Sequence, residues 1–132
     1  DAMTIFIDTG SQTPLYEQIA GQLRRQILDG TLPEGTVLPG IRALAAQVKV
    51  SIITTRRAYE ELEREGLIIT RQGQPSTVSI RDPAALREKE EAALEALLGR
   101  AALAAHTLGL SREEYLARAA ARYDHNQKED SR

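Results

Sequence analysis

The sequence predicts a mostly α-helical chain with one small β-hairpin, and three observations support this prediction. Apolar residues recur with helical spacing in the first half of the chain. Two short runs rich in β-branched residues follow, separated by Gly and Pro. A long segment rich in Ala, Leu and Glu then occupies about residues 83–107. The order of these segments is therefore helices, a hairpin and further helices.

The first predicted helix spans about residues 14–29. Thr13 is a suitable N-cap, and Pro14 is well suited to the first helical position. Asp29 and Gly30 provide a stop, since Gly accepts the left-handed conformation that often ends a helix. The apolar face that this helix would bury consists of Leu15, Ile19, Leu23 and Ile27.

Two shorter helices come next, joined by a tight connection at Lys49 and Val50. The first covers about residues 40–47, with Ile41, Leu44, Ala45 and Val48 facing inward. The second begins after Ser51, a good N-cap, and runs to Glu65. Its inward face, with spacing i, i+3, i+4 and i+7, consists of Thr55, Ala58, Tyr59 and Leu62.

The hairpin is predicted from residues 67–70 and 77–80, with the turn at residues 72–75. Val37 and Leu38 can form a very short additional strand. Two helices joined by a three- to four-residue turn and followed directly by a hairpin have the order of a winged helix-turn-helix. We therefore assign residues 11–81 to a winged helix-turn-helix domain.

Residues 82–125 are predicted to form an α-helical dimerisation region. The long helix of about residues 83–107 ends before Gly109, and Ser111 with Glu114 forms a capping box for a final helix of about 112–124. Residues from about 126 onward are expected to fray. These helices hold more apolar residues than one small winged domain can cover, which favours a symmetric pairing of two chains. An intramolecular lid is the alternative.

Composition narrows the class of protein. The chain has 132 residues, 42% hydrophobic residues and no Cys, which excludes disulfides and thiolate metal sites and suits the cytoplasm. No run of about 18 apolar residues predicts a membrane span. His106 and His125 are the only histidines and have no regular ligand spacing. No nucleophile, paired-carboxylate or phosphate-loop pattern occurs, so we expect no enzyme, no metal and no cofactor.

The charge of the chain is small, but its acidic residues are unevenly distributed. The net charge of −2 and the pI of about 5.7 argue mildly against a nucleic-acid partner. However, residues 36–59 contain no Asp or Glu and carry Arg42, Lys49, Arg56 and Arg57. Residues 66–81 are also free of acids and contain Arg71. Two acid-free segments in a Glu-rich chain are consistent with a surface kept clear for an anion.

Chemistry that reads DNA is expected at the start of the second and third helices. A helix N-terminus favours a phosphate, and Arg42 lies one turn into the second helix. Arg56, on the outward face of the third helix, can pair bidentately with guanine. Ile52 and Ile53 can meet thymine methyl groups there; the alternative is that one of them packs inward.

An ordered set of short motifs over about residues 11–80 resembles the GntR family of transcription factors. The motifs are Pro14-Leu15-Tyr16-Glu17-Gln18-Ile19, then Leu38-Pro39-x-x-Arg42-x-Leu44-Ala45, then Val50-Ser51-x-x-Thr54-x-Arg56-x-Ala58-Tyr59-Glu60-x-Leu62-Glu63-x-Glu65-Gly66-Leu67-Ile68, and Arg71-Gln72-Gly73. The resemblance implies a homodimeric winged domain that binds an inverted-repeat operator in double-stranded DNA.

The family's DNA contacts transfer to Arg42, Ser51, Thr54 and Arg56, and at the wing tip to Gln72 and Gly73. Three positions depart from the family pattern. Ile52 stands where Arg is common, Lys49 stands where Gly is common and predicts a left-handed backbone, and Pro75 stiffens the wing. The DNA-binding residues predicted altogether are Arg42, Ser51, Ile52, Ile53, Thr54, Arg56, Arg57, Arg71, Gln72 and Gly73.

The short region after residue 80 resembles the tail of the YtrA subfamily. It implies a repressor that dimerises through its C-terminal helices, with an unknown small-molecule effector. A winged-helix protein-interaction module that does not bind DNA is the alternative function.

Overall fold

The computed structural model describes residues 3–130, with side-chain surroundings for residues 3–127. The described chain divides into two compact units, the first ending at Pro83 and the second beginning at Ala84. The helices are α1 (Leu15–Leu28), α2 (Ile41–Val48), α3 (Ile52–Arg64), α4 (Pro83–Thr107) and α5 (Arg112–Asp130), and the strands are β1 (Ile68–Ile69) and β2 (Thr77–Val78).

The core of the first unit lies where α1, α2 and α3 meet the hairpin. Apolar periodicity correctly predicted three of the four α1 core residues, because Ile19, Leu23 and Ile27 are buried. Leu15 is 36% exposed, so its predicted place in the core is wrong. All four predicted inward residues of α3 are buried. In α2, burial is limited to Leu44 and Ala45.

The first helix begins one residue later than predicted. Pro14 occupies the N-cap and makes no side-chain cap hydrogen bond, so the assignment of the cap to Thr13 is wrong. The Thr13 carbonyl instead accepts a hydrogen bond from the Gln18 side-chain amide, at 2.9 Å. The pyrrolidine ring already sets a backbone angle close to that of a helix, which explains how α1 can start without a side-chain cap.

A segment before α1, which was not predicted, is held against that helix by three glutamines. The Gln22 carboxamide accepts from the Phe6 N–H at 2.9 Å and donates to the Phe6 carbonyl at 2.6 Å. Gln18 makes the same pair of bonds with Asp8, and Gln26 donates to the Thr4 carbonyl. Four helical residues rise about 6.0 Å and two extended residues about 6.6 Å, so this spacing matches.

The connection between α2 and α3 contains the strained residue that the sequence indicated. Lys49 has φ 60° and ψ 48°, the left-handed conformation, and its N–H donates to the Ala45 carbonyl. It is the one non-glycine residue with positive φ within residues 3–130. This backbone reversal turns the chain from α2 into Ser51, the first residue of the α3 cap.

The wing is shorter than predicted. Ile68 pairs with Val78 and Ile69 with Thr77 in an antiparallel register, and Val37 forms one isolated bridge to Thr77. The Thr70 N–H, directly after β1, donates to the Glu63 carboxylate at 2.7 Å. A side chain of α3 thus ties the hairpin to that helix.

The second unit consists of α4 and α5 joined at Gly109. The predicted capping box is present, since the Glu114 N–H donates to Ser111 Oγ and the Ser111 N–H donates to the Glu114 carboxylate, both at 3.1 Å. These bonds lower the pKa of Glu114 below its usual value. The helix continues to Asp130, so the expected fraying from about residue 126 is wrong, and His125 is helical. Among residues 84–127, only Ala105 is buried.

Candidate nucleic-acid interface

The start of α2 is anchored to α3 by a buried phenol. The Tyr59 hydroxyl donates to the Pro39 carbonyl at 2.6 Å, directly before the Gly40 N-cap of α2. Burial raises the pKa of Tyr59 above its ordinary value, so the hydroxyl keeps its proton and remains a donor. Arg42, in the first turn of α2, is exposed. The helix start that carries Arg42 is therefore fixed relative to α3.

The N-terminus of α3 is capped by two linked hydroxyls. Ser51 Oγ accepts from the Thr54 N–H at 3.0 Å and donates to Thr54 Oγ1 at 2.8 Å. The Ser51 hydroxyl proton is therefore used inside the cap. Thr54 accepts in that bond, so its own hydroxyl proton is available for a phosphate or base acceptor.

The two isoleucines at the start of α3 have different surroundings. Ile52 is half-buried, whereas Ile53 is 76% exposed. Of the two isoleucines, Ile52 is therefore the one that packs partly inward, and Ile53 presents an apolar side chain to solvent. Arg56 and Arg57 are exposed on the same helix. The outward face of α3 thus combines one bare aliphatic group with two guanidinium groups.

The wing tip is an exposed turn closed by a hydrogen bond from the Gln74 N–H to the Arg71 carbonyl, at 3.0 Å. Gly73 has φ 74°, a conformation that strongly favours glycine. Behind the tip, the Thr70 and Ser76 hydroxyls lie 2.5 Å apart and join the two arms. Arg71, Gln72 and Gly73 are all exposed.

Two groups of basic residues stand out in the first unit. Within the described part of the chain, no carboxylate forms a salt bridge with Arg42, Lys49, Arg56, Arg57 or Arg71. These residues lie on α2, on its connection to α3, on α3 and at the wing tip. Their charges are therefore not neutralised by neighbouring acids, and Lys49 joins a set from which the sequence prediction had omitted it.

The other group is tied to carboxylates at the opposite end of α3. Arg24 makes two bonds of 2.7 Å to Glu65, the C-cap of α3, and one of 3.0 Å to Glu17. The hydrogen bond with Glu65 is the largest factor that raises the Arg24 pKa. Arg64 pairs with Glu61. The salt bridges made by the acidic residues of α1 and α3 are thus concentrated away from the N-terminus of α3.

Tyr16 contributes to this surface in a way that the sequence did not indicate. The Arg57 guanidinium lies 3.7 Å from the centroid of the Tyr16 ring. Tyr16 belongs to α1 and Arg57 to α3, and helical periodicity relates residues only within one helix. No spacing signal could therefore have revealed this contact.

The first unit matches the family model described as bacterial regulatory proteins of the gntR family over residues 15–78. The chain is also 36% identical over 110 residues to the HTH-type transcriptional repressor YtrA of Bacillus subtilis, covering 83% of this chain and 85% of that protein. The chain belongs to the GntR family. It is a transcriptional regulator with a winged helix-turn-helix DNA-binding domain.

Two solved structures extend the similarity to the fold. YtrA from Sulfolobus acidocaldarius is 37% identical with a TM-score of 0.56, covering 69% of this chain and 97% of that one. A Listeria monocytogenes protein described as a transcriptional antiterminator is 31% identical with a TM-score of 0.67, covering 94% of this chain and 92% of the other. The resemblance to short-tailed YtrA-like members is therefore confirmed.

The arrangement of the described residues supports neither a metal site nor a membrane-spanning helix. Among the residues that the structure places, no group of three or more His, Asp or Glu side chains is arranged to hold a metal ion. No helix in residues 3–130 is long and apolar enough to cross a membrane.

Proposed function

We propose that this GntR-family chain is a repressor that binds a short inverted-repeat operator as a homodimer. The observation that carries the proposal is the set of five basic side chains without carboxylate salt bridges on α2, its connection to α3, α3 itself and the wing. Phosphate oxygens supply most of the contacts in protein–DNA complexes, and unpaired Arg and Lys side chains are their usual partners.

Each part of this surface has its own role in the proposal. Arg42 and the first turn of α2 hold a phosphate, while the N-terminal half of α3 enters the major groove. There Arg56 pairs with a guanine, Thr54 donates its hydroxyl proton, and Ile53 contacts a thymine methyl. Arg71, Gln72 and Gly73 approach the neighbouring minor groove. Ser51 acts chiefly by capping α3, and the half-buried Ile52 contacts DNA only along its exposed edge.

Homodimerisation is proposed from the exposed apolar side chains of α4 and α5. These helices and the connection between them expose apolar side chains to solvent in the single chain: Leu94 is 54% exposed, Leu97 55%, Leu103 68%, Leu108 69%, Leu116 45% and Tyr123 66%. A second copy that covers them places two recognition helices about one DNA turn, roughly 34 Å, apart, which matches an inverted repeat. We propose residues 82–125 as this dimerisation region and residues 11–81 as the DNA-binding domain.

Repression would follow when the bound dimer prevents access of the polymerase to a promoter. The Bacillus relative carries the name of a repressor, which supports this direction of control. A regulator that binds chromosomal DNA works in the cytoplasm of a bacterium, where we place it. We assign it no cofactor and no catalytic activity.

The test is a binding titration with a labelled duplex obtained by selection from a random pool, at 50 and 200 mM salt. We expect affinity to fall steeply with salt, by about 10³-fold or more for six or more phosphate contacts. Arg42→Ala with Arg56→Ala should weaken binding strongly. Arg64→Ala, whose guanidinium already pairs with Glu61, is the matched control. A selection that recovers no duplex, or unchanged binding by the double variant, would favour the protein-interaction alternative.

A further inference from the structure

We propose that Tyr16 is a positioning residue that presents the Arg57 guanidinium to a DNA phosphate. The proposal rests on the DNA-binding function above and assigns Arg57 a backbone contact instead of a base contact. Its basis is the 3.7 Å stacking of the Arg57 guanidinium on the Tyr16 ring. Tyr16 is half-buried at the start of α1, while Arg57 is exposed, so the better-packed side chain supports the more exposed one.

The ring orients Arg57 without neutralising it. A carboxylate in the same place would cancel the charge that a phosphate requires, whereas an aromatic face attracts the cation and leaves its charge in place. The nearest acid in sequence to Tyr16 is Glu17, which is bound to Arg24 at 3.0 Å. Within residues 3–127, Arg57 forms no salt bridge with a carboxylate.

The direction of the contact explains why a phosphate is the expected partner. Stacking on Tyr16 draws the guanidinium from the outward face of α3 toward α1. When α3 lies in the major groove, its outward tip faces base edges, and groups displaced toward a neighbouring helix meet the sugar-phosphate backbone that borders the groove. Arg56, which has no aromatic partner among the described residues, remains directed by α3 alone.

Pre-organisation is the expected benefit. An Arg side chain loses rotamer entropy when it is fixed, and part of this loss has already occurred when the side chain rests on a ring. Loss of the ring should therefore remove the phosphate contact of Arg57 even though the positive charge remains.

The decisive measurement is the slope of log affinity against log salt for the selected duplex. One phosphate contact contributes about 0.9 to this slope, so a fourfold rise in salt costs about 3.5-fold in affinity per contact. We expect Arg57→Ala to lower the slope by about one. Tyr16→Leu, which keeps apolar volume but removes the π face, should lower it equally, and the double variant should lower it no further.

Two controls separate positioning from general loss of structure. Tyr16→Phe keeps the ring and should bind DNA like the unmodified protein, and Arg64→Ala should keep the full slope. The Arg57 Nε–H proton resonance of the DNA-free protein gives an independent readout. Ring currents should shift it upfield in the unmodified protein and in Tyr16→Phe, and the shift should vanish in Tyr16→Leu.

The outcomes that overturn the proposal differ from those that overturn the DNA-binding function. A full slope in Tyr16→Leu, with a reduced slope in Arg57→Ala, would show that Arg57 finds its phosphate without the ring. A full slope in Arg57→Ala would remove the phosphate contact itself. A reduced slope in Tyr16→Phe would assign the effect to the hydroxyl. Absence of any salt-dependent binding by the unmodified protein would overturn both proposals together.

Discussion

At the scale of single residues, local hydrogen bonds decide which side chains of the interface remain available to DNA. Ser51 and Thr54 are both polar residues at the start of α3, and the family resemblance assigns a DNA contact to each of them. The structure distinguishes them, because Ser51 donates its proton to Thr54 while also accepting the Thr54 N–H. Ser51 therefore stabilises the helix, and Thr54 retains the free donor.

Substitution of Ser51 should separate helix capping from DNA binding. Ser51→Ala removes the cap and should cost about 1 kcal/mol of unfolding free energy. Ser51→Asp preserves a capping acceptor and suits the helix dipole, so its stability should be close to that of the unmodified protein. Its negative charge should nevertheless weaken binding to the selected duplex. Denaturant unfolding and duplex titration measure the two effects, and an Asp variant that binds as tightly as the Ala variant would contradict the placement of Ser51 beside DNA.

Ile53 should contribute apolar recognition of a thymine. It is 76% exposed, and burial of one methyl group is worth about 0.8 kcal/mol, or roughly fourfold in affinity. Replacement of the contacted thymine by uracil, which lacks the methyl, should therefore weaken binding about fourfold. In Ile53→Ala the same replacement should have little effect. If uracil at each thymine position in turn leaves the affinity of the unmodified protein unchanged, Ile53 does not read a methyl group.

At the scale of secondary-structure elements, the turn from α2 to α3 passes through Lys49, whose backbone conformation is energetically unfavourable. Lys49 adopts the left-handed conformation at φ 60°, which is unfavourable for an L-residue with a side chain.

The amphipathic pattern correctly predicted both α2 and α3 and most of their buried residues. It could not show that Glu63 accepts the Thr70 N–H and thereby ties the hairpin to α3, because this bond depends on where the hairpin lies relative to α3.

Lys49→Gly should stabilise the first unit. Relief of the left-handed strain is worth about 1–2 kcal/mol, partly offset by the greater flexibility of Gly in the unfolded chain, so we expect a net gain of up to about 1 kcal/mol by denaturant unfolding. Lys49→Ala serves as the control, since it removes the same charge and keeps the strained Cβ. Equal stability of the two variants would show that the strain is negligible.

At the scale of the whole molecule, the two units differ in how much of their apolar surface they bury. The first unit buries a complete core from three helices and the wing, whereas α4 and α5 expose most of their apolar side chains. Exposed patches of this kind commonly mark sites of association. The boundaries of α4 match the sequence prediction, but periodicity could not specify its burial, because its apolar residues are spread over much of the helix circumference.

Leu97→Glu should disrupt the proposed dimer. Leu97 is 55% exposed in the single chain, and a carboxylate placed in an apolar interface would be desolvated without a partner. Sedimentation should then show a shift toward monomer, and affinity for the full inverted repeat should fall toward that for a single half-site. Lys89→Glu introduces the same group at an exposed polar position of the same helix and should remain dimeric. A stable monomer of the unmodified protein at micromolar concentration would refute the dimer.

The sequence by itself determined the order of the helices, the hairpin, most of the core and the family, because these properties depend on short-range periodicity, capping residues and ordered motifs. It also indicated the left-handed Lys49 and the acid-free surface. Tertiary structure alone decided that Ile53 is exposed while Ile52 is half-buried, that carboxylates pair with Arg24 and leave the N-terminal part of α3 free, and that Tyr16 stacks on Arg57. These facts join residues distant in the chain, and no local pattern specifies a contact whose geometry arises only when helices pack together.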